Sequence, residues 1–119
     1  MGAIDAYQNN AITTQSRGGL IVMLYDGAIK ALRQAITALE DGNPASKGEC
    51  IGKATDIIIE LSSVLDMKGG GEIATDLRRL YDFMISHLTQ AHIKNDPKMI
   101  GEVIALLEDI NQGWKAIAD

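Results

Sequence analysis

Two histidines, one cysteine and a run of three glycines are the residues of this chain whose types invite a chemical reading. His87 and His92 stand five residues apart, which places them on different faces of a helix and rules out the paired-histidine HExxH spacing of zinc hydrolases. A carboxylate-bridged di-metal bundle requires Glu-x-x-His on two helices, but Met84 and Thr89 occupy the positions three before each histidine. Cys50 has no nearby histidine or asparagine pattern to activate a thiolate, and as a single cysteine it has no internal disulfide partner. Gly69, Gly70 and Gly71 are followed by Glu72-Ile73-Ala74, not by the GxxxxGK[ST] pattern of a phosphate loop, and no strand pattern precedes them. Phosphotransfer on a mid-helix histidine also fits poorly. The Lys and Gly that follow such a histidine are absent after His87-Leu88-Thr89, and His92-Ile93-Lys94 leads into Asn95. No nucleophile with its base, no metal set and no cofactor site emerges, so the sequence reads as non-enzymatic.

Composition narrows the remaining classes. In 119 residues the acidic side chains outnumber the basic ones, giving a net charge of −5 that disfavours a nucleic-acid partner. No apolar run reaches the roughly 20 residues of a membrane span. The N-terminus lacks signal-peptide regions, and Met1-Gly2 is followed by Ala6 where N-myristoylation needs Ser or Thr. These features point to a cytosolic protein without membrane insertion. With aromatics at 4%, the core has to be built from aliphatic side chains, alanine and methionine.

Helical spacing organises the chain into an N-terminal arm over residues 1–15 and four helices over about 17–41, 44–65, 72–94 and 97–118. Asn43-Pro44 and Asp96-Pro97 are start signals, pairing a capping side chain with proline at the first helical position. Gly42 and the glycine triplet are stop signals, the triplet because each helical glycine costs about 1 kcal/mol against alanine. The fold class that follows is all-α, an antiparallel up-down-up-down four-helix bundle with a mobile N-terminal arm.

Apolar side chains exceed what such a bundle needs. On the first helix Leu20, Leu24, Ala28, Ala31, Ala35 and Leu39 form one stripe, and Val22, Tyr25, Ile29 and Ile36 widen it to about 200°. Either that helix is central, or it shows a second apolar face to a partner. On the second helix Ile51, Ala54, Ile57, Ile58, Leu61, Val64 and Leu65 face inward, while Ile59 falls about 150° away. The third turns Ile73, Leu77, Leu80, Tyr81, Met84, Leu88 and Ala91 inward, leaving Phe83 and Ile93 outside. The inward set of the fourth is Met99, Ile100, Val103, Leu106, Leu107, Ile110, Trp114 and Ile117. Ile4 and Tyr7 of the arm, three apart, form an apolar pair able to dock on the body.

Leu20-Ile21-Val22-Met23-Leu24-Tyr25-Asp26-Gly27-Ala28-Ile29 resembles the opening helix of the bacterial flagellin export chaperones, the FliS family. The likeness continues through Lys53-Ala54, Ile57-Ile58, Glu60-Leu61 and Leu65-Asp66-Met67, then Gly70-Gly71-Glu72-Ile73-Ala74 and Leu80-Tyr81-Asp82. It closes on Glu102-Val103, Leu106-Leu107 and Trp114. Two departures are visible: Arg17-Gly18-Gly19 replaces a Ser-Pro-Glu-like lead, and Asn111-Gln112 stands where an arginine is common. The resemblance implies a cytosolic chaperone that binds the disordered C-terminal segment of flagellin, prevents early polymerisation and delivers the subunit to a flagellar type III export gate component. It also implies that the arm covers a client groove and is displaced, without cofactor or nucleotide. With the apolar outliers, it yields a candidate partner-binding set of Ile4, Tyr7, Ile21, Tyr25, Ile29, Ile59, Phe83 and Ile93, on a monomer or weak homodimer. The alternative is a general helical interaction or dimerisation module that uses the same apolar excess to pair two copies.

Overall fold

The computed structural model describes residues 17–118. The expected arm, with Ile4 and Tyr7, lies outside the described residues. Four helices follow one another: α1 (Arg17–Glu40), α2 (Pro44–Ser63), α3 (Gly71–Lys94) and α4 (Pro97–Ile117). They pack as a ring in which α1 touches α2 and α4, and α3 touches the same two from the far side. This is the all-α, up-down-up-down arrangement the periodicity implies.

The turns explain the boundaries. Gly42, at φ +68°, closes α1 while the Asn43 N–H reaches back to Ala38 at 2.8 Å and the Gly42 N–H to Leu39 at 3.1 Å. These bonds satisfy carbonyls that a helix end leaves free, in a conformation that suits glycine. Asn43 then caps α2, its side chain accepting the Ser46 N–H at 3.1 Å. The α2–α3 connection is built on Asp66, whose carboxylate accepts the N–H of Lys68 and of Gly69 while its carbonyl accepts that of Gly70 at 2.8 Å. A Cβ at Gly70 would lie 2.6 Å from both the Asp66 carbonyl and the Ala74 side chain, so only glycine fits there. Because this turn starts early, α2 ends at Ser63, short of the expected 65, and α3 begins at Gly71. Asn95, at φ 52°, closes α3. Asp96 caps α4 by accepting the Lys98 N–H at 2.9 Å.

The over-wide apolar arc of α1 has an internal explanation. Leu24, Tyr25, Ala28, Ala31, Leu32 and Ala35 are all at most 1% exposed, because α2 covers one flank and α4 the other. Leu32, Ala38 and Ile104 belong to the buried set although the sequence stripes omit them. Three residues expected inward are outside: Val64 at 56%, Ile73 at 72% and Ile117 at 73% exposed. Each sits at a helix terminus on the same end of the bundle, beyond the reach of the neighbouring described helices.

Polar side chains also tie helices to one another in the interior. Lys47, 4% exposed in the first turns of α2, donates to the His92 carbonyl at 3.1 Å and to the Asn95 side chain. Its charge thus lies at the negative end of the α3 dipole. Tyr25 of α1 and Tyr81 of α3, both buried, share a hydroxyl hydrogen bond of 2.5 Å across the bundle diagonal. Burial raises both phenol pKa values above the ordinary range. For Tyr25 the Tyr81 and Trp114 side chains partly offset this; for Tyr81 the partner hydroxyl adds to it.

Replacing Lys47 with Met removes the cap of α3 and should lower unfolding stability in urea by about 1–3 kcal/mol. Tyr25→Phe strands the Tyr81 hydroxyl and should cost a similar amount. The double Phe variant should cost less than the two single losses summed. The tyrosine pair also fixes a pH dependence. Above pH ~10 the unfolded chain loses phenol protons that the folded chain retains, so stability is held below that pH and falls as pH rises beyond it. Urea titrations between pH 8 and 11 should show this fall in the parent and a smaller one in the double Phe variant.

Candidate functional site

The described surface carries its apolar excess on the side of the bundle that contains α3. Between α3 and α4 runs a groove of about 650 Å³, lined by Leu80, Phe83 and His87 on one wall and Glu102, Ala105, Leu106 and Asp109 on the other. The walls arise from spacing: residues 80, 83 and 87 are i, i+3 and i+7, and residues 102, 105, 106 and 109 repeat that period on the facing helix. Phe83 stacks on the His87 ring at 4.8 Å and 24°. The His87 Nε2 meets a Glu102 carboxylate oxygen at 2.9 Å, with the imidazole largely covered and the carboxylate half exposed. Phe83 itself is 48% exposed.

A second groove, of about 540 Å³, separates α2 from α3 at the end where α1 starts. Ile59, Leu65, Met67 and Ile85 supply its apolar lining, and Ser62, Ser63, Arg78 and Asp82 its polar edge. Ile59 is 48% and Met67 41% exposed. The two grooves flank α3 on opposite sides, so the exposed apolar side chains form one broad face centred on that helix.

This placement divides the sequence-derived set. Ile59 and Phe83 line the two grooves. Ile93 is exposed near the C-terminal end of α3 and lines neither. Ile21 is half-buried and packs against the core. Tyr25 and Ile29 differ from the exposed outliers: both lie in the core, Tyr25 tied to Tyr81 and packed on Trp114 at 6.4 Å between ring centroids. Their positions on the wheel follow the seam between α1 and α4, and a wheel cannot distinguish a neighbouring helix from a guest. Sequence reasoning missed Met67 as a surface residue, because it falls in the α2–α3 turn where helical periodicity gives no signal. It also missed the pairing of Leu80 and Leu106 across one groove; both read as inward stripes.

The opposite side of the bundle is polar and tied. Arg33 of α1 pairs with Glu108 of α4. The buried Asn111 amide donates to Asp26 at 2.9 Å, and the Lys115 ammonium lies 3.7 Å from the same carboxylate. Among the described residues no three His, Cys, Asp or Glu side chains gather as a metal site, and no helix is long and apolar enough to cross a membrane. The arrangement suits non-covalent capture of an apolar chain segment.

Comparison with known proteins agrees with the family likeness read from the motifs. The family described as flagellar protein FliS matches residues 1–119. The flagellar secretion chaperone FliS of Vibrio cholerae is 43% identical over 120 residues, spanning 98% of this chain and 88% of the relative. That of Salmonella typhimurium is 46% identical over 110 residues, spanning 92% and 82% respectively. The Bacillus subtilis protein of the same name is 38% identical over 110 residues, spanning 92% and 81%.

Proposed function

The chain belongs to the FliS family of flagellar secretion chaperones, and we propose that its client is the disordered C-terminal segment of flagellin. In this reading the protein holds that segment in the cytosol, keeps subunits from polymerising there and hands them to a component of the flagellar type III export gate. Binding alone performs the work, so no nucleotide, metal or catalytic residue is required. The observation that carries the reading is the set of large apolar side chains left outside a completed core, Ile59, Met67, Phe83 and Ile93, gathered along α3 and its two grooves.

The energetics suit transient capture. A disordered segment that orders on a surface of this kind buries about 1,000–3,000 Å² and loses about 2–5 kcal/mol to ordering. The result is an affinity that protects the client yet permits release. In the same reading Ile4 and Tyr7, an apolar pair three apart in the sequence, belong to the partner-binding set.

Ile59→Asp should leave the helical circular dichroism signal intact and change folding stability by no more than about 0.5 kcal/mol, as befits a surface site. It should weaken capture of a flagellin C-terminal peptide about tenfold or more, because a half-exposed isoleucine no longer loses its remaining contact with water. Leu61→Asp, two residues away but 3% exposed, should instead unfold the bundle. Normal capture by the Ile59 variant would remove the α2–α3 groove from the client surface. Sedimentation at micromolar concentration distinguishes the second use of this face: a stable dimer that ignores the peptide would favour a dimerisation module, and a monomer binding one peptide favours the chaperone.

A further inference from the structure

At the end of the bundle where the α1–α2 and α3–α4 turns meet, Leu39, Gly42, Asn43, Pro44, Lys47 and Asn95 line a pocket of about 250 Å³. It shares no residue with either groove. The hydrogen bonds already made by its polar side chains decide what it can take. Asn43 spends its side-chain oxygen on the Ser46 N–H at 3.1 Å, and Asn95 spends its own on the Lys47 ammonium. What each carboxamide has left over is its NH2 group, a pair of donors. An ammonium carries three N–H donors, and that of Lys47 meets two acceptors, the Asn95 oxygen and the His92 carbonyl at 3.1 Å. The side-chain capacity that remains in the pocket is therefore chiefly for donating.

Charge selects in the same direction. Lys47 is 4% exposed, yet both of its acceptors are neutral, and among the described residues no carboxylate lies within ion-pair distance of it. A buried ammonium loses its hydration, and a paired anion offsets that loss further than neutral oxygens do. The acidic residues nearest in sequence are engaged or turned to solvent. Asp96 caps α4 by accepting the Lys98 N–H at 2.9 Å, while Glu40 and Asp41 are exposed, and none of the three lines the pocket. A single cation suits a singly charged guest, and the surrounding net charge of −5 disfavours a dianion such as phosphate. Leu39 and Pro44 give an apolar wall for the carbon that carries the charge.

We propose that this pocket is a carboxylate site, in which one carboxylate accepts from the Asn43 and Asn95 side-chain amides and from Lys47 while its carbon rests on Leu39 and Pro44. The terminal carboxylate of a peptide and a small free carboxylic acid share this chemistry. The chaperone reading supplies the first source, because the client there is a C-terminal segment. The site itself rests on the pocket alone.

The test uses the full chain, labelled with nitrogen-15, and sodium acetate as the probe against sodium chloride at equal ionic strength. Acetate should shift the side-chain NH2 signals of Asn43 and Asn95 saturably and leave the Gly113 amide, at the other end of α4, in place. Asn43→Asp keeps the cap of α2, since aspartate serves there as well as asparagine. It exchanges two donors for a negative charge, and should weaken acetate about tenfold or more with the helical circular dichroism signal intact. Asn95→Gly keeps the turn conformation at φ 52° and should weaken acetate about two- to fivefold. A second arm separates the sources with a fluorescein-labelled flagellin C-terminal peptide, made once with a free terminal carboxylate and once amidated. Tighter binding of the free-carboxylate form by about two- to fivefold, lost in Asn43→Asp, assigns the site to the peptide terminus. Equal binding of the two forms beside saturable acetate shifts assigns it to a small free acid. Acetate shifts no different from those of chloride together with equal peptide binding overturn the proposal, and so does an Asn43→Asp variant that binds acetate as the parent does. Saturable acetate shifts with neither peptide captured overturn the chaperone reading and leave this site standing.

Discussion

Everything in this molecule follows from the way α1 is covered on both flanks. Its inner surface intersperses Ala28, Ala31 and Ala35, at most 1% exposed, with larger side chains, and the small ones allow neighbouring helices to approach closely. Both α2 and α4 pack on it, and their apolar stripes are drawn toward that shared centre. Helix α3 closes the ring from the far side and touches the same two neighbours. The side around α1 is sealed and laced with Arg33–Glu108 and Asp26–Asn111 contacts, while the seams beside α3 remain grooved and apolar.

Buried polar groups fix how this ring closes. An apolar interior alone tolerates several registers of helix against helix, because the hydrophobic effect has no direction. The Tyr25–Tyr81 hydrogen bond ties the diagonal pair, which otherwise do not touch, and Lys47 ties the start of α2 to the end of α3. In both cases the partner leaves no acceptable alternative, since a stranded hydroxyl or ammonium in the interior is costly. These contacts set where the walls of the two grooves fall relative to one another. Among the described residues, the side-chain hydrogen bond between α3 and α4 is that of His87 with Glu102, at the rim of the α3–α4 groove.

The side around α1 supplies a tightly packed body, and the side around α3 carries the grooved apolar area. Exposed apolar area of this size also carries a risk of self-association, which the net charge of −5 opposes.

What the sequence determined by itself was everything local. The 3.6-residue spacing, the Asn43-Pro44 and Asp96-Pro97 starts and the Gly42 stop specify four helices and short turns, because capping and backbone conformation act within a few residues. The outward positions of Ile59, Phe83 and Ile93 were equally legible, as deviations from a single-helix wheel. Tertiary structure decided what each wheel faces. It turned Tyr25 and Ile29 from candidate docking residues into core, since α4 covers the arc that a wheel leaves open. It left Val64, Ile73 and Ile117 uncovered at one end of the bundle and brought Leu80 together with Leu106 across a groove. A helical wheel records direction around one axis, and burial depends on which other axis lies along that direction and how far it extends.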